Sequence, residues 1–240
     1  MPQAASYHQF ADLRGFPGAP NLINVFSNAG FLLVGLFALF TLVRQHALLF
    51  ASSADARPYL IFFGAVTLIA FGSGYYHWQP SNESLFWDRL PMSLAYMAFS
   101  AAVVADRINA RAGNGWLLAI LLVVGLASLV YWYWSEANGH GDLRFYVLVQ
   151  FYPVLALPVI ALTFPDYRYV PGRYLAWIIA WFLVSKLLEH FDHEIFALSG
   201  QLISGHSLKH LASAVAAWMV LRMLTRSSGR SVKSVTSEPG

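Results

Sequence analysis

The sequence predicts an all-α integral membrane protein built as a seven-transmembrane-helix bundle. Of its 240 residues, 58% are hydrophobic and 11% are charged, whereas soluble domains carry about 25% charged residues. The hydrophobic residues are concentrated in stretches close to the roughly 20 residues that a helix needs to cross the hydrocarbon core of a bilayer. Polar or turn-forming segments separate these stretches, which indicates several crossings rather than one.

Each predicted span ends at a recognisable separator. In chain order the separators read RQHALLFASSADARP, QPSNESLFWD, DRINARAGNG, SEANGHGD, FPDYRYVPG and HFDHEIFALSGQLISG. None is long enough to hold another domain. The chain therefore divides into a polar N-terminal segment (1–21), a transmembrane domain (22–225) and a low-complexity cytoplasmic tail (226–240) that we expect to be disordered. The seven predicted spans are 22–44, 58–78, 90–106, 115–134, 143–164, 173–190 and 206–225.

The distribution of Lys and Arg predicts how the helices are oriented. Seven spans place the two termini on opposite sides of the membrane, and cytoplasmic loops carry the excess of positive charge. Ten basic residues fall on the side of the C-terminus and three on the side of the N-terminus, with Lys186 and Lys209 left out because they lie within spans. We therefore expect a cytoplasmic C-terminus and an extracytoplasmic N-terminus.

Composition also excludes some classes of function. The chain has no cysteine, so a metal site must use His and carboxylate ligands and no disulfide can form. The formal net charge of +3 is too small to indicate a nucleic-acid partner. The first 20 residues have no basic region followed by a short apolar stretch, so we do not expect a cleaved signal peptide.

Three histidines predict a metal site at the extracytoplasmic edge. His206 and His210 are spaced i, i+4 and share one face of the seventh helix, which lets both imidazoles bind one zinc ion. His77 ends the second span at the same membrane depth and is the natural third ligand. Ser73 lies one turn before it, and Asp88 opens the third span. A chance HxxxH pair is common, but ionisable residues within spans are costly and indicate function.

A second polar group, KLLEHFDHEIF, stands at the end of the sixth span. One interpretation is a solvated helix end with an i, i+4 pair between Glu189 and His193. The other is that Glu189, His190, Asp192 and His193 orient the metal-binding imidazoles. The sequence leaves both open.

Three motifs, taken together, resemble the signature of the alkaline ceramidases. They are S-x-x-x-H at the end of the second span (SGYYH), Asp at the start of the third (WDRLP) and H-x-x-x-H in the seventh (HSLKH). The first span also contains NVFSNAGFLLVG, which is similar to the ceramidase N-x-x-S-N opening. The same signature marks a wider superfamily of seven-helix putative hydrolases that includes the adiponectin receptors. The chain looks most like the bacterial ceramidase-like branch.

The resemblance implies a zinc ion held by His77, His206 and His210, with Ser73 and Asp88 beside it. It implies cleavage of the amide bond of ceramide, or a ceramide-like N-acyl lipid, to a fatty acid and a sphingoid-type amine. Asp88 would act as general base, and the Ser73 hydroxyl would stabilise the oxyanion. The expected location is a bacterial inner membrane, with the active site toward the extracytoplasmic side.

The N-terminal segment departs from the family pattern. Eukaryotic alkaline ceramidases have an acidic, tryptophan-containing segment that binds calcium, whereas this chain reads HQFADLRGFPGAPNLIN. It offers Asp12, Asn21 and Asn24 but no acidic cluster, and calcium sites usually include several carboxylates. Calcium dependence is therefore not expected from this segment.

Two other functions fit the same sequence. A receptor-like or regulatory membrane protein would use a closed, structural zinc site, with Asp88 as a fourth ligand. A transporter would need polar residues at the midplane of several helices, and spans one, four and five have few. The sequence thus favours the hydrolase.

Overall fold

The computed structural model describes residues 1–18 and 20–235, with side chains as far as Ser227. The described residues form helices and no β-strand, which confirms the predicted all-α class. Short helices at Ala5–His8, His46–Leu49, Ala110–Gly113 and Asp192–Leu198 connect or flank seven long ones. The long helices are α1 (Leu22–Arg44, interrupted at Asn28), α2 (Ser53–Trp78), α3 (Asn82–Arg107), α4 (Trp116–Ala137), α5 (Arg144–Thr163), α6 (Gly172–His190) and α7 (Gly205–Val235).

Within the described residues, four helices are long and apolar enough to cross a membrane: α1, α2, α4 and α5. A fifth qualifies if α6 and Asp192–Leu198, which meet at 77°, are taken as one bent span. Helices α3 and α7 do not qualify by themselves. They carry charged and imidazole side chains in their first two turns, among them Asp88, His206 and Lys209, and these lower their mean hydropathy.

Two helices begin earlier than the sequence predicts, and capping explains both. Helix α2 starts at Ser53 rather than near residue 58, because the Ser52 side chain accepts a hydrogen bond from the Asp55 amide. Helix α3 starts at Asn82, where Ser81 and Ser84 form a reciprocal capping box. Asp88 was expected to open the third helix and instead lies in its second turn.

The last helix continues beyond the predicted end of the transmembrane domain at residue 225. It runs to Val235, so the tail predicted over 226–240 overlaps it by ten residues. Residues 236–240 lie outside the described part of the chain.

Glycines allow two close helix contacts that position the candidate site. A Cβ on Gly72 of α2 would lie 2.9 Å from the carbonyl carbon of Trp87 on α3, and closer still to its oxygen. A Cβ on Gly205 would lie 2.9 Å from the Cα of Asp192. The first contact brings α2 against α3 beside Ser73 and Asp88, and the second brings the start of α7 against the end of α6.

Large apolar side chains also cover the outside of the bundle. Water-soluble proteins rarely expose continuous apolar surfaces of this kind, so the pattern agrees with a membrane environment. Exposed examples on α1, α4 and α5 are Leu33, Phe37, Phe40, Ile120, Val123, Leu155, Val159 and Leu162.

Candidate metal centre and adjoining cavity

The structure brings His77, His206 and His210 together. His77 lies in the last turn of α2, and the other two lie in the first two turns of α7. All three are at most 5% exposed. The Nε2 atom of His77 lies 3.2 Å from Nε2 of His206 and 3.3 Å from Nε2 of His210. Three imidazole nitrogens that meet in this way form a group that could hold a metal ion.

The helix interrupted at Asn28 orients His210. The hydroxyl of Ser27 lies 2.7 Å from Nδ1 of His210 and donates to the Asn24 carbonyl at 2.8 Å. The Asn24 side-chain oxygen accepts from Ser207 at 2.7 Å, which ties α1 to α7. Partners on the far ring nitrogen fix which nitrogen of a histidine is free to bind a metal. Nδ1 of His77, by contrast, is buried without a partner among the described atoms.

The N-terminal segment covers the histidines from one side. The ring of Phe10 packs at 4.6 Å from the ring of His77 and 4.7 Å from that of His206. Asp192 connects this segment to α7, because its two oxygens accept from the backbone amides of Ala11 (2.9 Å) and His206 (2.7 Å). Asp192 therefore holds the start of α7 through the backbone of His206.

Ser73 and Asp88 form a hydrogen-bonded pair next to the histidines. Both are buried, at 2% and 7% exposed. The Ser73 hydroxyl can donate to the Asp88 carboxylate. Together with His210 the pair lines one end of a cavity of about 150 Å³. The rest of the cavity wall is mainly apolar and includes Phe62, Val66, Phe99, Val154, Leu157 and Ile179.

Two lysines complete the polar end of this cavity. Lys186 of α6 and Lys209 of α7 both line it. Glu189 lies between them and pairs with Lys186 at 2.8 Å and with Lys209 through its other oxygen. Tyr7 donates to the same carboxylate at 3.2 Å.

The polar residues of KLLEHFDHEIF, at the end of the sixth span, thus have different partners and do not act as one group. Glu189 pairs with two lysines, and no ion pair joins it to His193 among the described residues. His193 is exposed, whereas Asp192 is buried and acts on the α7 backbone. Orientation of a ligand imidazole comes instead from Ser27, which sequence reasoning overlooked. The NVFSN stretch was the available signal, because its i, i+3 spacing places Asn24 and Ser27 on one face.

The residues considered for calcium have other partners. Both carboxylate oxygens of Asp12 accept from the Arg14 guanidinium, at 2.8 and 2.7 Å. Burial alone would raise the pKa of Asp12, but the hydrogen bonds and charge of Arg14 outweigh burial and lower it. Asn21 donates to the His77 carbonyl at 2.9 Å. In the part of the chain that the structure describes, an ion pair between Arg14 and Asp12 thus holds this segment in place.

No model of a known protein family matches the chain, and no curated protein matches it. The three histidines, the Ser73–Asp88 pair and the adjoining cavity therefore carry the functional argument.

Proposed function

We propose that this chain is a zinc-dependent membrane amidohydrolase that cleaves the amide bond of ceramide or a ceramide-like N-acyl lipid. The products would be a fatty acid and a sphingoid-type amine. One observation carries the proposal: three buried imidazole nitrogens converge beside a hydrogen-bonded Ser73–Asp88 pair at the head of an apolar cavity. The resemblance of the SGYYH, WDRLP and HSLKH motifs to alkaline ceramidases supports the same reaction.

The donor set fits zinc in chemistry and in spacing. Zinc binds imidazole nitrogens at about 2.0–2.1 Å in tetrahedral geometry, which separates two ligand nitrogens by roughly 3.3–3.4 Å. The Nε2 atoms of His206 and His210 lie 3.2 and 3.3 Å from Nε2 of His77. Three protein ligands leave a fourth position open, as catalytic zinc sites require. A zinc ion bound there would supply Lewis acidity and lower the pKa of a water ligand.

Asp88 is the group of this chain that can move the proton. Hydrolysis adds water across the amide: the hydroxyl joins the acyl carbon, the C–N bond breaks and a proton reaches the amine nitrogen. Asp88 would take that proton from water and return it to the leaving amine. The Ser73 hydroxyl can donate to Asp88, which supports a role in orienting the carboxylate. Stabilisation of the oxyanion by Ser73 would require that hydroxyl to turn toward the substrate.

The cavity provides a place for the acyl chain. Its wall draws on six long helices and is mostly aliphatic and aromatic, with Ser73, Asp88 and His210 among its few polar groups. Ligand sites commonly combine an apolar wall with a small number of placed polar groups. An amphiphile whose amide lies at the polar end would therefore place its chain among the helices.

The proposal includes a membrane arrangement. All seven long helices would cross a bacterial inner membrane, with α3 and α7 shielding their polar residues inside the bundle. The excess of Lys and Arg on the side of the C-terminus supports a cytoplasmic C-terminus. The metal centre would then lie toward the extracytoplasmic side.

Elemental analysis of the detergent-purified protein, combined with hydrolysis of a panel of ceramides and N-acyl lipids, tests the proposal. We expect about one zinc per chain and release of fatty acid. His210→Ala should lose both, because a site with two of its three ligands is weak. His193→Ala, which removes an exposed histidine, should lose neither. Zinc without turnover on any amide would instead favour the receptor-like alternative.

A further inference from the structure

Four charged side chains meet at the cavity end that holds the Ser73–Asp88 pair. Lys186 and Lys209 are cationic and Asp88 and Glu189 are anionic, so their formal charges cancel. Charge held away from water is costly unless it is paired. A metal dication at the histidines would give this end of the cavity an excess of positive charge.

A fifth charged side chain, that of Arg89, is nearby but lies outside the cavity. Arg89 is surrounded by aromatic rings, 4.6 Å from that of Trp132 and 4.7 Å from that of Tyr146, and donates to the Gln3 side chain at 2.7 Å. It does not line the cavity. Lys186 and Lys209 do line it and share the single carboxylate of Glu189.

Each lysine retains hydrogen-bonding capacity for a ligand. An ammonium group carries three N–H donors, and Glu189 accepts one from each lysine. Both Glu189 oxygens are thereby used, and Tyr7 donates to one of them as well. The remaining ammonium donors need an acceptor, and a ligand anion in the cavity would supply it while balancing the charge.

The position of the lysines indicates where that anion belongs in the ligand. Lys209 precedes His210 in the chain, and both line the polar end together with Asp88. An anion there would lie beside the amide rather than at the far end of an alkyl chain. The remaining wall is apolar and suits the chain itself.

We propose that the preferred lipid amide carries a carboxylate on the amine side of its amide bond, as an N-acyl amino acid does, and that Lys186 and Lys209 bind this carboxylate. The inference rests on the proposed function insofar as the bound lipid is a substrate. It departs from that function in the headgroup, because ceramide is neutral.

Two lipids of equal chain length isolate the charge. N-palmitoylglycine ends in a carboxylate, and N-palmitoylethanolamine ends in a hydroxymethyl group at the same place. Dissociation constants for both, measured on the zinc-loaded protein in detergent, require no turnover; KM and kcat are measured in parallel. We expect the wild type to bind the glycine conjugate at least tenfold more tightly, since a hydrogen bond to a charged group contributes about 1.5–3 kcal/mol.

Variants assign the preference to the lysines. Lys186→Gln and Lys209→Gln should each weaken binding of the glycine conjugate by about tenfold and change ethanolamide binding by less than twofold. Lys186→Arg keeps the charge and should keep the preference. Arg222→Gln removes an exposed cation from the same helix as Lys209 and should change neither constant. Glu189→Gln enlarges the excess of positive charge and should tighten binding of the glycine conjugate, an outcome that misfolding cannot imitate.

The outcomes separate this inference from the proposed function. A lysine-dependent preference without hydrolysis of either lipid would retain the anion site and refute the amidase. Equal binding of both lipids by the wild type would refute the anion site, whatever the turnover. If palmitate alone competed in a lysine-dependent manner and the two amides bound equally, the lysines would hold the product carboxylate, and the proposal would be wrong.

Discussion

Replacing Gly72 by Ala tests whether the close contact of α2 with α3 maintains the site. The new Cβ would lie 2.9 Å from the Trp87 carbonyl carbon, whereas ordinary contacts of a Cβ begin near 3.4 Å. The two backbones would therefore have to separate locally by at least the difference, 0.5 Å. The obstacle is backbone, so a change of side-chain rotamer cannot relieve it. Overpacking of this kind costs about 1–3 kcal/mol.

Gly74→Ala is the matched control, because its Cβ would meet no atom within 4 Å. Both changes gain the same helix propensity, about 0.8–1 kcal/mol, so the difference between the two variants isolates the clash. We expect Gly72→Ala to unfold in detergent roughly 2–12 °C below Gly74→Ala. Amide hydrolysis should also fall, because Ser73 and Asp88 follow the two residues that clash.

Thermal unfolding followed by circular dichroism, with zinc content measured on the same samples, tests the predicted difference between the two alanine variants. Equal midpoints for the two alanine variants would refute the argument that the glycine is needed for close packing. Equal midpoints with full activity would also show that the Ser73–Asp88 pair does not depend on this contact.

Three further changes address the site directly. Asp88→Asn should retain zinc and lose turnover by about 10²–10⁴-fold, because an amide cannot take up the proton; unchanged hydrolysis would remove Asp88 as the base. Ser73→Ala should lower kcat by about 10² with little change in KM, since misplacing a reacting group by an ångström costs that much; a variant as fast as the wild type would leave Ser73 a packing residue. Ser27→Ala should weaken zinc binding by about 10–100-fold through His210, measured by chelator competition, and undiminished affinity would contradict the assigned partner of Nδ1.

Much of the fold could be predicted from the sequence because apolar stretches and their separators are local signals. The seven stretches all correspond to long helices, and the first six helix ends fall within three residues of those predicted. Helix starts were harder to place. A polar first turn such as NESLFWD does not look like a membrane span, yet Ser81 caps it as part of α3. Capping by serine extends a helix into sequence that hydropathy alone assigns to a loop.

The site was predictable only in part, for a similar reason. An i, i+4 pair and an S-x-x-x-H motif are visible along the chain, so His77, His206 and His210 could be chosen as one group. The residues that position them act across long separations. Ser27 reaches His210 from 183 residues away, and Phe10 lies against two of the histidines. Contacts of that kind follow from how helices pack, which no local pattern specifies.

The fastening of the N-terminal segment has a consequence for the order of assembly. The residues that cover the histidines are synthesised well before Asp192 and Leu202, to which Ala11 and Arg14 bond. Phe10 can reach its final position only after the seventh helix is in place. A metal ion would enter before that closing step or wait for the segment to detach. Resistance to an external chelator would then report the lifetime of the closed N-terminal segment rather than the intrinsic affinity of three imidazoles.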